Sequence, residues 1–334
     1  MKILYTENLS IGFNEKRNSK IILHKGINIS LDKGEFVCLL GPNGAGKSTL
    51  IRTFTGFTKA LAGKVILNNK EIRNYSEKEL AKQISVVLTE KTDTANITVN
   101  ELVAMGRYPY TGFFGKLTND DIQIVNESLE QLGMAKMQNK LCGELSDGEA
   151  QKTIIAKALA QKTPIIILDE PTAFLDLPSR IEIMQLLKEL AHNTGKTILL
   201  STHELDLALQ YADRLFLLAQ GKEIKCGTPE DLVLNGDFNS FFEKNGIEFD
   251  NSSGNFISKD ANVKQINISG NGIEFNWVSK ALRRNGFIHD ENAEICVKIS
   301  NSENKKYSIV SKNRNEIKVD SVEELLIELK KLEV

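Results

Sequence analysis

Nine consecutive residues, Gly41-Pro42-Asn43-Gly44-Ala45-Gly46-Lys47-Ser48-Thr49, have the types and spacing that phosphate chemistry requires. They fit G-x-x-x-x-G-K-[ST] without a mismatch. The glycines let successive backbone N–H groups turn inward around phosphate oxygens, at a helix N-terminus that carries the positive end of its dipole. Lys47 reaches the β- and γ-phosphates, and the Ser48 hydroxyl is a ligand for Mg²⁺. Farther along, the apolar run Pro164–Leu168 ends in Asp169-Glu170. Such a strand delivers its last side chains to the C-terminal edge of a parallel sheet, where ligands bind. Asp169 is placed there to hold Mg²⁺, directly or through water. Glu170 is a candidate general base for an attacking water. Without the phosphate loop upstream, the pair would read as two solvated acids at a strand end.

Three further signals are weaker one by one. Ser146 and Glu149, around Asp147 and Gly148, spell S-x-x-E, which alone reads as a well-capped helix. His203 follows the apolar run Thr197–Ser201, where a satisfied structural histidine is the plainer reading. Phe13 is either a ring that stacks on an adenine or a core aromatic at a strand edge.

The elements that must position these residues follow from periodicity. Glu35–Leu40 is a continuous apolar run, a strand buried on both faces ahead of the phosphate loop. Leu50–Phe54 reads as the first turns of the helix after it. Strand-like runs occur at Ile3–Tyr5, Leu9–Phe13, Ile21–Leu23 and Ile27–Ile29, with a charged turn at Asn14–Lys20. Residues 62–75 read as a hairpin turning at Asn68-Asn69. Ser76–Glu79 caps a short helix that runs to Gln83, and Ile84–Leu88 is another buried strand. Segment 97–135 is helical, with stripes in Val99–Met105 and Ile122–Leu132. A helix starts at Asp176-Leu177-Pro178, carries a core stripe at Ile183, Met184, Leu187, Leu190 and Ala191, and stops at Gly195.

Composition narrows the classes. The 334 residues suggest about two domains. Lys+Arg 42 against Asp+Glu 44 gives a net charge of −2, so no overall basic field favours nucleic acid. No apolar run approaches the ~20 residues of a membrane span. The N-terminus has no long apolar segment, so a signal peptide is not expected. The four cysteines, Cys38, Cys142, Cys226 and Cys296, form no C-x-x-C pair and are expected to be buried thiols in a reducing cytosol.

Phosphate loop, Ser-Asp-Gly-Glu, the strand to Asp169-Glu170, Asp176 and His203 stand in the order of the ATP-binding cassette (ABC) family, which residues 1–258 resemble. The resemblance implies an α/β fold of the P-loop NTPase type: a mostly parallel sheet core, an antiparallel β subdomain and a helical subdomain at about 92–160. It also implies ATP and Mg²⁺ as cofactors. Gly41–Thr49 then corresponds to the Walker A loop, Asp169 to the Walker B aspartate and Glu170 to the catalytic glutamate. Leu145–Glu149 corresponds to the signature, Asp176 to the D-loop aspartate, His203 to the switch histidine and Phe13 to the adenine-stacking aromatic. In this family the signature contacts the nucleotide of the other subunit, so one loop and one signature per chain imply a homodimer.

Thr98–Val103 followed by Gly106-Arg107-Tyr108-Pro109-Tyr110 resembles a narrower branch, the cassettes that power uptake of iron–siderophore complexes, haem and cobalamin. That branch implies transmembrane permease subunits as partners, a substrate-binding protein indirectly, and a place on the cytoplasmic face of the membrane. Two departures stand out. Asp147 replaces a glycine usual in the signature. Glu90, after Val87-Leu88-Thr89, occupies the Q-loop position usually held by glutamine, where its carboxylate would offer oxygen to Mg²⁺ alongside Ser48 and Asp169.

Residues 259–334 lie outside the cassette pattern. Runs at 264–268, 295–299 and 307–310 read as strands, and 275–286 and 321–332 as helices, giving a small C-terminal α+β domain that is regulatory or packs a dimer. A soluble ABC ATPase acting on ribosomes or DNA is the alternative function. It fits less well, because the chain carries one cassette and too few residues separate Thr49 from Leu145 for a long coiled coil. A third reading is an accessory cassette that barely hydrolyses, given Asp147.

Overall fold

The computed structural model describes residues 1–14, 20–88, 95–242, 247–250, 255–258, 264–300, 306–311 and 314–332. The chain divides into two compact units, Met1–Glu243 with Phe249–Phe256, and Lys244–Glu248 with Ile257–Val334.

The first unit opens with β1 (Lys2–Asn14), β2 (Lys20–Ile27) and β3 (Ser30–Asp32). The runs at Ile3–Tyr5 and Leu9–Phe13 are one long strand. Pairing irregularities at Glu7/Ser10 and Leu9/Ile11 bend it, so that β1 serves β5 and β3 along one stretch and β2 along another. The run Ile27–Ile29 is not a strand throughout. The Asn28 amide donates to the Gly26 carbonyl and its side-chain oxygen accepts from the Asn8 N–H, which turns the chain between β2 and β3.

Next come β4 (Phe36–Leu40), α1 (Lys47–Phe54), β5 (Ala62–Leu67) and β6 (Lys70–Glu71). Asn68 and Asn69 sit at φ 47° and 61°, the left-handed pair that a two-residue hairpin turn requires. Then follow α2 (Glu77–Leu80), β7 (Ile84–Val87), α3 (Val99–Ala104), α4 (Asn119–Gln131) and α5 (Asp147–Ala160). The unit continues with β8 (Ile165–Asp169), α6 (Leu177–Thr194), β9 (Thr197–Thr202), α7 (Leu205–Tyr211) and β10 (Arg214–Leu217). It ends with β11 (Lys225–Gly227), α8 (Pro229–Leu234) and α9 (Asp237–Phe242).

The central sheet has the order β11-β10-β4-β9-β8-β7, parallel except where β11 meets β10. Its inner strands are apolar on both faces because both are covered. Along β4, Phe36, Cys38 and Leu40 join the core under the helices, while Val37 and Leu39 join the core under the antiparallel sheet β2-β1-β5-β6. The phosphate loop after β4, the acids ending β8 and the histidine after β9 therefore leave three adjacent strands at one sheet edge. Only Cys38 of the four cysteines is buried, which corrects the expectation for the others. Cys226 is exposed on the edge strand β11.

Helices α3, α4 and α5 pack through Val99, Val103, Val125, Leu129, Ile155 and Ala156. After Ala104 the chain tightens into a 3₁₀ turn, Met105–Tyr110, with Pro109 inside it. Gly106 sits there because a Cβ would stand 2.3 Å from the Lys157 carbonyl oxygen on α5. Buried Arg107 donates from Nε to Asp121 at 2.8 Å and from a terminal nitrogen to the Ala160 carbonyl at 2.8 Å. Its guanidinium also stacks 4.0 Å from the centre of the Tyr110 ring.

Farther along the chain, β12 (Ile247–Asp250) pairs with β13 (Asn255–Ser258). The second unit contains β14 (Lys264–Ser269), α10 (Gly272–Arg284), β15 (Phe287–His289), β16 (Ile295–Ile299), β17 (Tyr307–Ser311), β18 (Arg314–Val319) and α11 (Val322–Leu332). Its sheet runs β15-β14-β16-β17-β18, with β14 parallel to both neighbours and the rest antiparallel. Val278 and Leu282 of α10 and Leu325 and Leu329 of α11 close over Ile266, Val297 and Ile309.

Arg107→Ala leaves the Asp121 carboxylate buried without its cation. Removing one partner of a buried ion pair costs about 3–5 kcal/mol, so urea unfolding of this variant should show a loss of that size. An unshifted midpoint would mean that α3, α4 and α5 hold together without the pair.

Candidate functional site

β4 ends in a loop whose geometry is set by glycine. Gly44 and Gly46 adopt φ 77° and 100°, conformations that L side chains rarely reach, and Gly46 is the N-cap of α1. A Cβ on Gly41 would stand 2.1 Å from the Leu218 carbonyl oxygen. Outside the loop, the Gln220 amide donates to the Gly44 carbonyl at 3.0 Å, and the buried His24 ring reaches the Ala45 carbonyl at 2.7 Å.

Lys47 is the first residue of α1 and is only 5% exposed. Its ammonium donates to the Gly41 carbonyl at 2.9 Å and lies 3.7 Å from Glu170 Oε1. Burial lowers its pKa, opposed by the charges of Glu170 and Asp169. Ser48 is exposed in the first turn of the same helix, beside the half-buried Thr49.

The β8 acids are held by a residue that strand reading passed over. Ser201 on β9 donates from Oγ to Asp169 Oδ1 at 2.5 Å and accepts from the Glu170 N–H at 3.0 Å. Asp169 and Ser201 are register partners, so the hydroxyl is next door by strand pairing alone. Glu170 has φ 50°, a strained conformation that turns its side chain off the strand. His203 Nε2 lies 2.6 Å from Glu170 Oε1 and 3.2 Å from Lys47 Nζ. A carboxylate only accepts, so that nitrogen carries its proton toward Glu170. The ammonium is then held by oxygen atoms and not by the ring. Lys47, Asp169, Glu170 and His203, scattered over 157 residues of chain, meet at one sheet edge.

The Ser146 box forms as expected, with Ser146 capping α5 by accepting from the Glu149 N–H and the Glu149 carboxylate accepting from the Ser146 N–H. Asp147 lies exposed in the first turn, where the helix dipole favours a carboxylate. Gly148 meets α6, since a Cβ there would stand 3.1 Å from Ser179 Oγ. Asp176 caps α6 by accepting from the Ser179 N–H, and hydrogen bonding from the Ser179 side chain, then from its backbone, holds the Asp176 pKa below the usual carboxylate value. Arg180 ties that corner to the histidine: it donates to the Leu175 carbonyl and, at 2.6 Å, to Glu204, the residue after His203. Phe13, one residue before the end of β1, is 49% exposed, so its ring is not a core aromatic. Glu90 lies outside the described residues.

A glycine-shaped loop on a buried lysine, facing two acids and a histidine across a parallel sheet, defines a phosphate-loop nucleotide hydrolase. The family model described as ABC transporter matches residues 24–173, and the one described as iron ABC transporter C-terminal domain matches residues 263–330. An uncharacterized ABC transporter ATP-binding protein of Methanocaldococcus jannaschii is 40% identical over 80% of this chain and 90% of its own length. The iron(3+)-hydroxamate import ATP-binding protein of Bacillus subtilis is 39% identical over 70% of this chain and 85% of its own. Among solved structures, a transporter described as of the metal-chelate type, in an inward-facing conformation, aligns with TM-score 0.62 and 27% identity, over 72% of this chain and 89% of that one. The chain belongs to the ABC transporter ATP-binding proteins and hydrolyses ATP.

Ser201→Ala removes the hydroxyl that donates to the Asp169 carboxylate. A hydrogen bond to a charged group is worth about 1.5–3 kcal/mol, and thermal or urea unfolding should register that loss. Ser201→Thr keeps the hydroxyl and should recover most of it.

Proposed function

We propose that this chain is the ATP-hydrolysing subunit of an importer, coupling ATP turnover to passage of an iron chelate through a membrane permease. A siderophore complex is the first cargo, with haem and cobalamin as further members of the class. The observation that carries this reading is the surface of the helical subdomain. Tyr108, Phe113 and Phe114 stand exposed beside a groove of about 330 Å³ lined in part by Ile97, Ala104, Met105 and Leu117. Such exposed apolar surface marks an interaction site, and it carries the segment that resembles siderophore, haem and cobalamin cassettes. The match of residues 263–330 to an iron-transporter C-terminal domain supports the same class. No helix among the described residues is long and apolar enough to cross a membrane, which suits a subunit attached from the cytoplasmic face.

In this mechanism Lys47 leaves the Gly41 carbonyl for the β- and γ-phosphates, and the N–H groups of Gly41–Thr49 surround their oxygens. Phe13 stacks on the adenine. The Ser48 hydroxyl and the Asp169 carboxylate are hard oxygen donors and fit Mg²⁺. No group of three or more His, Cys, Asp or Glu side chains is arranged to hold a metal ion by itself among the described residues, and the remaining ligands of this ion would be water and phosphate oxygens. Glu90 is a further proposed ligand. When bound, Mg²⁺ would offset charge on the phosphates. Glu170 accepts the proton of the attacking water, with His203 orienting its carboxylate. Ser146, Gly148 and Glu149 at the start of α5 would face the nucleotide of a second copy, with Asp176 beside that contact, so the working unit is a homodimer. Asp147 places a carboxylate there and weakens that contact. The C-terminal unit regulates the cassette or packs the dimer.

Detergent co-purification with polytopic permease subunits, and ATP-dependent uptake of a radio-iron siderophore into membrane vesicles, test the reading. Sedimentation with ribosomes instead would overturn it. Glu170→Gln should lower hydrolysis by about 10²–10⁴ while retaining ATP, and should accumulate as a dimer on size-exclusion chromatography. Hydrolysis at the wild-type rate would remove Glu170 as the base. Truncation after Ser258 should leave an ATP-binding cassette, checked by nucleotide titration. Aggregation of that fragment would place residues 259–334 in the core.

A further inference from the structure

β2 carries one residue that its place in the fold does not call for. His24 pairs with Ile11 of β1 in the antiparallel sheet, and its side chain is 94% buried, a place where an apolar residue would pack as well. Its Nε2 lies 2.7 Å from the carbonyl oxygen of Ala45, inside the phosphate loop. A carbonyl oxygen only accepts, so Nε2 carries the proton and donates it. The ring also flanks the next residue: a Cβ on Gly46 would stand 3.5 Å from His24 Cδ2 and 3.7 Å from Nε2.

The Ala45–Gly46 peptide is planar and trans, so its C=O and N–H point in opposite directions. Fixing the Ala45 carbonyl toward β2 turns the Gly46 N–H away from β2. That group belongs to the N-cap of α1, next to Lys47, where backbone N–H groups bind anions. Gly46 has no Cβ and φ 100°, so nothing in its own side chain sets the plane of this peptide. The imidazole supplies the missing constraint, and its pull on the carbonyl polarises the N–H at the other end.

We propose that His24 is a positioning residue for nucleotide binding: its Nε2–H holds the Ala45 carbonyl so that the Gly46 N–H is presented to a phosphate oxygen. This rests on the reading of Gly41–Thr49 as the nucleotide site. His24 does not touch the attacking water or its base, so it acts on binding and not on the chemical step. A side chain with an amide donor at similar reach, such as glutamine, replaces it, and an apolar one of similar size does not.

The test uses the full chain as His24→Leu, His24→Gln and Lys47→Ala, with ADP titrated calorimetrically and ATP hydrolysis followed at steady state. His24→Leu should weaken ADP binding about tenfold, the equivalent of one lost hydrogen bond. Its KM for ATP should rise in step, while kcat stays within about twofold. His24→Gln should restore binding. Wild-type ADP affinity in His24→Leu, with binding lost in Lys47→Ala, overturns the role of His24 and leaves the nucleotide site standing. Wild-type affinity in Lys47→Ala overturns the site itself. If His24→Gln binds as weakly as His24→Leu, the ring acts by packing and the proposal fails. Should His24→Leu not fold, the ¹⁵N spectrum of histidine-labelled wild type decides. A protonated Nε2 on His24 is required, and an Nδ1–H tautomer overturns the proposal.

Discussion

An ammonium group taken out of water is costly unless oxygen atoms surround it, and the site is arranged around that demand by Lys47. The Gly41 carbonyl supplies one partner and the carboxylate of Glu170 lies close by. Meeting the demand fixes several things at once. The loop has to curl so that its carbonyl faces the lysine, which requires glycine at Gly44 and Gly46. The two acids have to lie across from α1, which requires β8 and β4 to be separated by one strand only. The carbonyls of the loop on its other side need donors of their own, and these come from Gln220 and His24.

The strand between β4 and β8 is β9, and it is more than a spacer. Its Ser201 holds the Asp169 carboxylate and the Glu170 N–H, and the residue just beyond its end is His203, whose Nε2 is close to both Lys47 and Glu170. Proton placement then follows from the partners: the histidine donates to Glu170. Phosphate replacing the carbonyl partner of the lysine would leave that hydrogen bond in place. A phosphate taken up by the lysine would thus leave the Glu170–His203 pair intact.

The helical subdomain rests on a second buried charge. Arg107 gathers Asp121, the Ala160 carbonyl and the face of Tyr110, and so binds a short 3₁₀ turn to two helices. The same turn carries exposed Tyr108 on its outer side. A rigid interior contact next to an exposed aromatic surface suits a face that must keep its shape while it meets a partner. The C-terminal unit has its own core between α10, α11 and a five-stranded mixed sheet.

Local chemistry was legible in the residues themselves. The glycine spacing of Gly41–Thr49, the apolar run ending in Asp169-Glu170, and the boxes at Ser146 and Ser76 each depend on neighbours within a few positions, and the geometry of each follows from that range. The core stripe of α6 and its stop at Gly195 were legible for the same reason. Nothing local marked Ser201, Gln220, Arg180 or His24 as parts of the site, because each acts on a group far away in the chain through strand pairing or helix packing. The merging of two runs into β1 and the exposure of Cys226 were likewise set by which strands became neighbours. Sequence alone thus determined the phosphate loop, the acids and the helix caps, since backbone geometry and short-range hydrogen bonds dictate them. Tertiary structure decided what holds those parts in register, because the β4-β9-β8 order, which no short stretch encodes, brings the distant donors within bonding distance.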